Sequence, residues 1–378
     1  MPLSYDDLFQ IFSRIHACPE LGMQETKTTL LIRDTLASHD ITLLPLPLAT
    51  GVVASIGHGK GPVIGLRCDM DALPIEEATD LPYRSQVPGI MHACGHDFHT
   101  TVMLGVALAL KEEEDSLPGQ VRIVFQPAEE LATGGYALSR TGIVDDCTMF
   151  LDIHTYPGFT NGTLGIKEGP VMAAVDRFRV TLRGRGTHAA HPHKGIDPVP
   201  ALATLVTSLQ TLASRLTDPF APVLCSITHM EAGNTWNVIP ESGMLEGTIR
   251  TMTPQVRAEV ESHFRRIVED TSHAFRVEPV IEWHAGPPAV INDPALCALA
   301  RTVADSLGLQ TALQEDTLGG EDFSEFLTYP RLRPGIFVRI GTGGDYPQHH
   351  PKFTVDPQAL PGAVAFFTQM AKACMQKA

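Results

Sequence analysis

Apolar side chains recur at helical spacing in two stretches near the start of the chain. Leu8, Ile11, Phe12 and Ile15 mark one over residues 5–17, and Leu30, Leu31 and Leu36 mark another over 25–38; each set lines one face of a helix. Pro19 and Gly22 punctuate between them. Beyond, short and almost continuously apolar runs (51–56, 63–67, 121–125, 149–153 and 336–340) alternate with helical patterns at 99–113, 135–140, 293–307 and 361–373. Strands without polar alternation are buried on both faces. The order therefore predicts an α/β fold with a mostly parallel sheet sandwiched by helices.

The middle of the chain follows another rule. Phe178, Val180 and Leu182 alternate with polar residues, and a Gly- and His-rich loop follows. A helical pattern at 199–216, strand-like runs at 221–229, 244–251 and 277–283, and a helix at 254–275 complete the segment. Two helices with alternating strands predict a small α+β sandwich. The first pattern resumes after about Pro288. The expected organisation is one discontinuous domain, 1–175 and 288–378, around an inserted domain, 176–287.

Composition narrows the class. At 378 residues the chain is long enough for two domains. With 43% hydrophobic and 19% charged residues it is globular. Lys and Arg number 28 against 43 Asp and Glu, a net charge of −15, which argues against nucleic acid or an anionic membrane as partner. No segment reads as membrane-spanning, and acids near the N-terminus stand where a signal peptide has basic residues. Seven scattered Cys make no disulfide framework. A cytoplasmic, reduced protein is expected. The 16 His are unusual, and they cluster.

Four predicted strands run into polar residues able to hold a metal: Asp69-Met-Asp71, Gln126-Pro-Ala-Glu129-Glu130, His154, and a Gly-rich loop ending in His349-His350. Ligands of open α/β sheets sit beyond the carboxyl ends of the strands. The densest segment is Met91-His-Ala-Cys94-Gly-His96-Asp97-Phe-His99. Thiolate and imidazole suit Zn²⁺ and similar ions, and Gly95 lets Cys94 and His96 face one ion from a loop. A rival reading makes Cys94 a nucleophile with His96 as its base, which leaves Glu129, Glu130, His154 and His349 without work. Of the adjacent Glu129 and Glu130, one can ligate while the other moves a proton; spacing does not say which. Five candidate ligands (Cys94, His96, Glu130, His154 and His349) exceed the three usual for one catalytic zinc, which favours two ions.

Taken in order, these motifs resemble the M20 metallopeptidase/amidohydrolase family, in the branch of hippurate hydrolases, indole-acetyl-amino-acid hydrolases and N-acetyldiaminopimelate deacetylases. The resemblance is carried by His16-x-x-Pro-Glu-Leu-Gly22, Leu66-Arg-Cys-Asp-Met-Asp-Ala-Leu-Pro74, His92-Ala-Cys-Gly-His-Asp97, Gln126-Pro-Ala-Glu-Glu130, His188-Ala-Ala-x-Pro-His193, Asn237-Val-Ile-Pro240, Gly247-Thr-Ile-Arg-Thr251, Gly320-Glu-Asp-Phe323 and His349-His-Pro-Lys-Phe353. It implies that Cys94, His96, Glu130, His154 and His349 ligate two divalent ions (Zn, Mn, Co or Ni) and that Glu129 is the general base and acid. By the same resemblance Asp69 orients a ligand, and Arg67 stands where the wider family places a ligating His. The inserted domain resembles the family's lid and dimerisation domain. There His188 matches a residue that stabilises the oxyanion in a neighbouring subunit's site, and Asn237 and Arg250 match residues that hold the substrate carboxylate. Two departures stand out: Thr187 for a common Gly, and Gly320 for a common Ser.

The implied activity is two-metal hydrolysis of the amide bond of N-acyl amino acids, in a homodimer or higher homo-oligomer. A dipeptidase, a carboxypeptidase or an N-acetyldiaminopimelate deacetylase on the same site is the enzymatic alternative. A catalytically silent ligand-binding protein is the alternative from another class; the complete set of inferred ligands and base speaks against it.

Overall fold

Four of the apolar runs lie side by side and point the same way. In the computed structural model, which describes residues 3–377, Gln120–Gln126, Val63–Asp69, Met149–Tyr156 and Gly335–Gly341 are adjacent parallel strands. Nearly every side chain on them is buried, as the lack of polar alternation requires. Short strands extend this sheet to eight. Val52–Ile56 pairs antiparallel with Gln120–Gln126, and Thr42–Leu43 closes that edge. Leu164–Gly165 and Thr311–Ala312 form the other edge. The two-residue strands were not expected; they are too short to carry a hydrophobic period.

Helices flank this sheet. The helix His96–Glu112 is buried on almost all sides and packs against Tyr5–Ala17, Leu360–Lys377 and the strand Val63–Asp69. It begins three residues before the apolar pattern predicts. Gly95, with φ of 93°, turns the chain sharply into it. Its first polar residues are buried and paired: His96 with Asp71, and Asp97 with His16. Tertiary partners here supply what an apolar stripe supplies elsewhere.

The chain divides into two compact units. The first runs to Val171 and includes Ile291–Glu315 and the chain from Asp322 on; the second is Met172–Val290 with Asp316–Glu321. The second unit has an antiparallel four-stranded sheet in the order Val223–Ala232, Ser242–Thr251, Ala174–Arg183, Glu278–Ala285. Burial alternates along its two central strands. Phe178, Val180, Leu182 and Leu245 pack with Leu202 and Leu205 of Pro198–Leu209 and with Val260, Phe264 and Val268 of Pro254–Phe275. The helix expected over 199–216 is two pieces, the second being Thr211–Arg215. The expected α/β fold with a mostly parallel sheet, joined to an antiparallel α+β element, is the fold observed.

Candidate metal centre

The carboxyl ends of the parallel strands deliver donors to one place in the first unit. His154 lies near the end of Met149–Tyr156, and the turn holding Glu129 and Glu130 follows Gln120–Gln126. Cys94 precedes the central helix and His96 is its first residue. Cys94, His96 and His154 form one group whose ligand atoms all lie within 4.8 Å of one another; Cys94, Glu130 and His349 form a second, and His96, Glu129 and Glu130 a third. His154 Nε2 is 3.7 Å from Cys94 Sγ, and Glu130 Oε1 is 3.3 Å from His349 Nε2 and 3.8 Å from His96 Nε2. Structure therefore assembles all five side chains expected to be ligands, together with Glu129.

These residues fit a cation. His96 Nε2 and Glu130 Oε1 are buried without a hydrogen-bond partner, which is costly for polar atoms unless something binds them. The rings are also held with the right edge inward. His96 Nδ1 lies 3.1 Å from Asp71 Oδ1 and His154 Nδ1 lies 2.9 Å from the Thr155 carbonyl oxygen, so in each ring Nδ1 is engaged by an acceptor and Nε2 is the nitrogen turned toward the other donors. Burial holds the His154 imidazole well below its usual pKa and hence neutral, with His99 adding to the effect. His349, tied to Cys94 and Glu130, is pushed up to about 10. A soft thiolate, imidazoles and a carboxylate suit borderline divalent ions.

The two carboxylates at the end of Val63–Asp69 divide the work unexpectedly. Asp71 takes the His96 ring, while Asp69 Oδ1 accepts from His99 Nδ1 at 2.6 Å. His99 Nε2 in turn accepts from the Thr155 backbone N–H at 2.7 Å. Asp69 Oδ2 also stands 3.7 Å from His96 Nε2. Burial alone would raise the Asp69 carboxyl, but His96, His99 and Arg67 hold it well below its ordinary value. Asp71 accepts two further bonds, from the backbone N–H groups of Glu129 (3.1 Å) and Glu130 (3.0 Å). The turn that presents Glu129 and Glu130 is thereby fixed to the ring of His96. Ala128, at φ of 53°, enters this turn in a left-handed conformation, and its N–H donates to the buried Glu25 carboxylate at 2.8 Å. Sequence patterning marked Asp71 only as a strand-end residue able to hold a metal, not as the partner of His96 and of the Glu129–Glu130 turn, and it did not single out Glu25.

Arg67 forms the polar floor beside the donors. Its fully buried guanidinium reaches Asp69 (3.1 Å), Asp152 (3.2 Å), Asp322 (2.9 Å) and the Gln126 side chain (2.9 Å). Asp322 also accepts from the Gly135 backbone N–H at 2.8 Å. A guanidinium offers five fixed donors and stays charged in such a site.

The three remaining candidates lie in the second unit. His188 and Asn237 are neighbours there: His188 pairs with Val238 in a two-stranded sheet, and the Ala189 N–H donates to the Asn237 carbonyl at 3.0 Å. His188 helps line an open cleft of about 700 Å³ with Gly186, Thr187, Asn234 and Glu241. Arg250, half-buried on Ser242–Thr251, donates to Thr248 Oγ1 at 2.6 Å.

A donor set of this kind at the carboxyl edge of a parallel sheet marks a metal-binding protein. Residues 65–373 match peptidase family M20/M25/M40. An N-acetyl-L-cysteine deacetylase from Bacillus subtilis is 43% identical over 366 residues, 97% of this chain and 87% of that protein. An IAA-amino acid hydrolase (ILR1-like 4) from Arabidopsis thaliana is 34% identical, covering 97% of this chain and 85% of that one. A crystal structure from Bacillus subtilis, described as a dinuclear metal-binding peptidase of the M20 family, superimposes with a TM-score of 0.90 at 38% identity and 99% coverage of both chains. The chain belongs to the M20 peptidase family and is a metal-dependent amidohydrolase. The donor groups and the dinuclear relative together support two divalent ions.

Proposed function

We propose that this enzyme hydrolyses the amide bond of N-acyl amino acids of the N-acetyl or N-benzoyl type. The observation that carries the reading is the convergence of Cys94, His96, Glu130, His154 and His349 around one space with Glu129 beside them. Both N-acetyl-L-cysteine and IAA-amino acids, in the names of the two relatives, are amino acids carrying an acyl group on nitrogen, which supports the substrate class. When bound, two divalent ions supply Lewis acidity that polarises a carbonyl and acidifies water.

Cys94, His96, Glu130, His154 and His349 hold those ions. Glu129 takes the proton of the attacking water and returns it to the departing amine, which leaves as the C–N bond breaks. Asp71 keeps Glu129 and Glu130 in register with His96 through the three hydrogen bonds described above. His188 donates to the oxyanion, reaching the site from the partner subunit, and Arg250 with Asn237 selects a free α-carboxylate, for which a guanidinium has matching geometry. The second unit then serves as lid and dimerisation domain, in a cytoplasmic homodimer. Among the described residues no helix is long and apolar enough to cross a membrane.

The Glu129→Gln variant tests the base. Turnover falls by about 10²–10⁴ while metal content, measured by elemental analysis, stays at two ions; near-normal kcat would sink the assignment. The substrate class is tested on N-acetyl, N-benzoyl and N-aminoacyl amino acids with each of Zn²⁺, Mn²⁺, Co²⁺ and Ni²⁺. Inactivity across the acyl series would refute it. Sensitivity to chelators, with rescue by metal, separates this mechanism from a cysteine hydrolase.

A further inference from the structure

Gln348 stands directly before His349 in the chain, and its side chain reaches the buried side of the centre. Its Nε2 is 3.6 Å from Cys94 Sγ, 3.2 Å from the Thr155 carbonyl and 3.1 Å from His154 Nδ1. Ligation of a cation through His154 Nε2, as in the proposed function, places the ring proton on Nδ1, where the same Thr155 carbonyl accepts it at 2.9 Å. A protonated ring nitrogen has no lone pair to offer. The two N–H groups of the Gln348 amide are therefore left with the Thr155 oxygen and the Cys94 sulfur.

The main chain holds this arrangement in place. The His349 N–H donates to the Ala93 carbonyl at 2.8 Å. His349 has φ of 64°, a left-handed turn rare for a side-chain-bearing residue and a mark of functional constraint. One dipeptide thus brings the imidazole of the left-handed His349 to Glu130 and the amide of Gln348 to Cys94.

We propose that Gln348 is a positioning residue of the metal centre: its amide donates an N–H···S hydrogen bond to the Cys94 thiolate and so sets how strongly that sulfur gives electron density to a bound cation. The proposal rests on Cys94 being a ligand, as in the proposed function. Hydrogen bonds to a ligating cysteine sulfur tune a metal centre without touching the metal. A neutral amide does so without adding a second positive charge beside the ions.

Cobalt(II) is the probe, because a thiolate bound to it gives a near-ultraviolet sulfur-to-cobalt charge-transfer band. An N–H···S bond stabilises the sulfur lone pairs and moves that band to shorter wavelength. Full-length metal-free protein is loaded with cobalt(II) and compared with Gln348→Leu and Gln348→Glu, the latter nearly isosteric but lacking the donor. Both variants are expected to shift the band to longer wavelength with cobalt stoichiometry unchanged. A band at the wild-type position in Gln348→Leu overturns the proposal, even where Gln348→Glu shifts by charge alone. Absence of the band in the wild-type protein with cobalt bound overturns Cys94 as a ligand, and the proposal with it. The two failures are thus distinguishable.

Discussion

Asp71 shows how one small side chain can set the geometry of a whole centre. Its two oxygens receive the His96 ring and the backbone N–H groups of Glu129 and Glu130. In Asp71→Asn one oxygen becomes a donor facing a donor, so at least one of the three bonds is lost. Metal affinity, measured by competition with a chromophoric chelator, is expected to fall about 10–100-fold. None of this was legible in the sequence. Asp69 and Asp71 are two residues apart just after a strand, and only the backbone path decides that one faces His99 and the other His96. The candidate ligands were legible because thiol, imidazole and carboxylate groups crowd the strand ends, a pattern a solvated loop rarely shows. His16 carries a different kind of prediction. Its Nδ1 lies 2.6 Å from Asp97 and its Nε2 3.3 Å from Glu77, so both ring nitrogens face carboxylates. Burial opposes a charged imidazole here, but those hydrogen bonds outweigh it and the pKa rises from 6.5 to about 9. The nearby His92 is pushed down to about 4 by burial, and stays neutral. A raised pKa means the folded state binds the proton more tightly. The stabilisation is full below pH 6.5 and is lost as pH rises through about 9. Urea unfolding of the wild type is expected to lose on the order of 3 kcal/mol over that window, and His16→Gln to flatten the profile. An equally steep loss in the variant would refute the assignment.

At the scale of elements, the start of the central helix is the most demanding feature. Gly95 sits at φ of 93°, and a Cβ there would meet Thr155 Oγ1 at 2.5 Å. That hydroxyl donates to the Cys94 carbonyl at 2.6 Å. Gly95→Ala is expected to cost about 1–3 kcal/mol from the backbone conformation alone, with displacement of Cys94 and His96 in addition. A lowered Tm together with weaker metal binding is the expected result; unchanged values in both would contradict it. The helix start was misplaced from sequence because His96 and Asp97 break the apolar period, and the buried partners that compensate come from distant positions. In the second unit the strand Ala174–Arg183 and the helix Pro254–Phe275 are joined by a bidentate pair. Arg257 Nε and Nη2 donate to the fully buried Asp176 carboxylate at 2.9 and 2.7 Å. Arg257→Ala leaves that charge unpaired in the interior, at a cost of about 3–5 kcal/mol. The central strands of both units, by contrast, were plain in the sequence. Continuous apolar runs marked the parallel sheet, and strict alternation at Phe178, Val180 and Leu182 marked the antiparallel one.

For the whole molecule the net charge of −15 sets the terms on which metals bind. Two divalent ions, with the Cys94 proton lost if that thiol is a ligand as proposed, would bring the loaded chain to about −12. Much of the negative charge near the centre is held in fixed partnerships: Asp69, Asp152 and Asp322 with Arg67, and Asp71 with three donors. The buried Glu130 Oε1 faces His349 Nε2 at 3.3 Å and His96 Nε2 at 3.8 Å. Cation binding is therefore directed to a frame that other interactions have already built, and removing the metals should not unfold it. Binding to the native state alone still adds stability, by about 4 kcal/mol per site when free metal is a thousand times the dissociation constant. Chelation is accordingly expected to abolish activity and lower the Tm while leaving far-UV circular dichroism at 25 °C nearly unchanged. Titrating metal back at pH 7 in two buffers of different ionisation enthalpy should reveal proton release, because an unligated thiol is mostly protonated there. Cys94→Ser should reduce that release by about one proton at equal metal occupancy. Gross loss of secondary structure on chelation would show that the frame depends on the ions, and proton release unchanged in Cys94→Ser would remove the thiol from the ligand set.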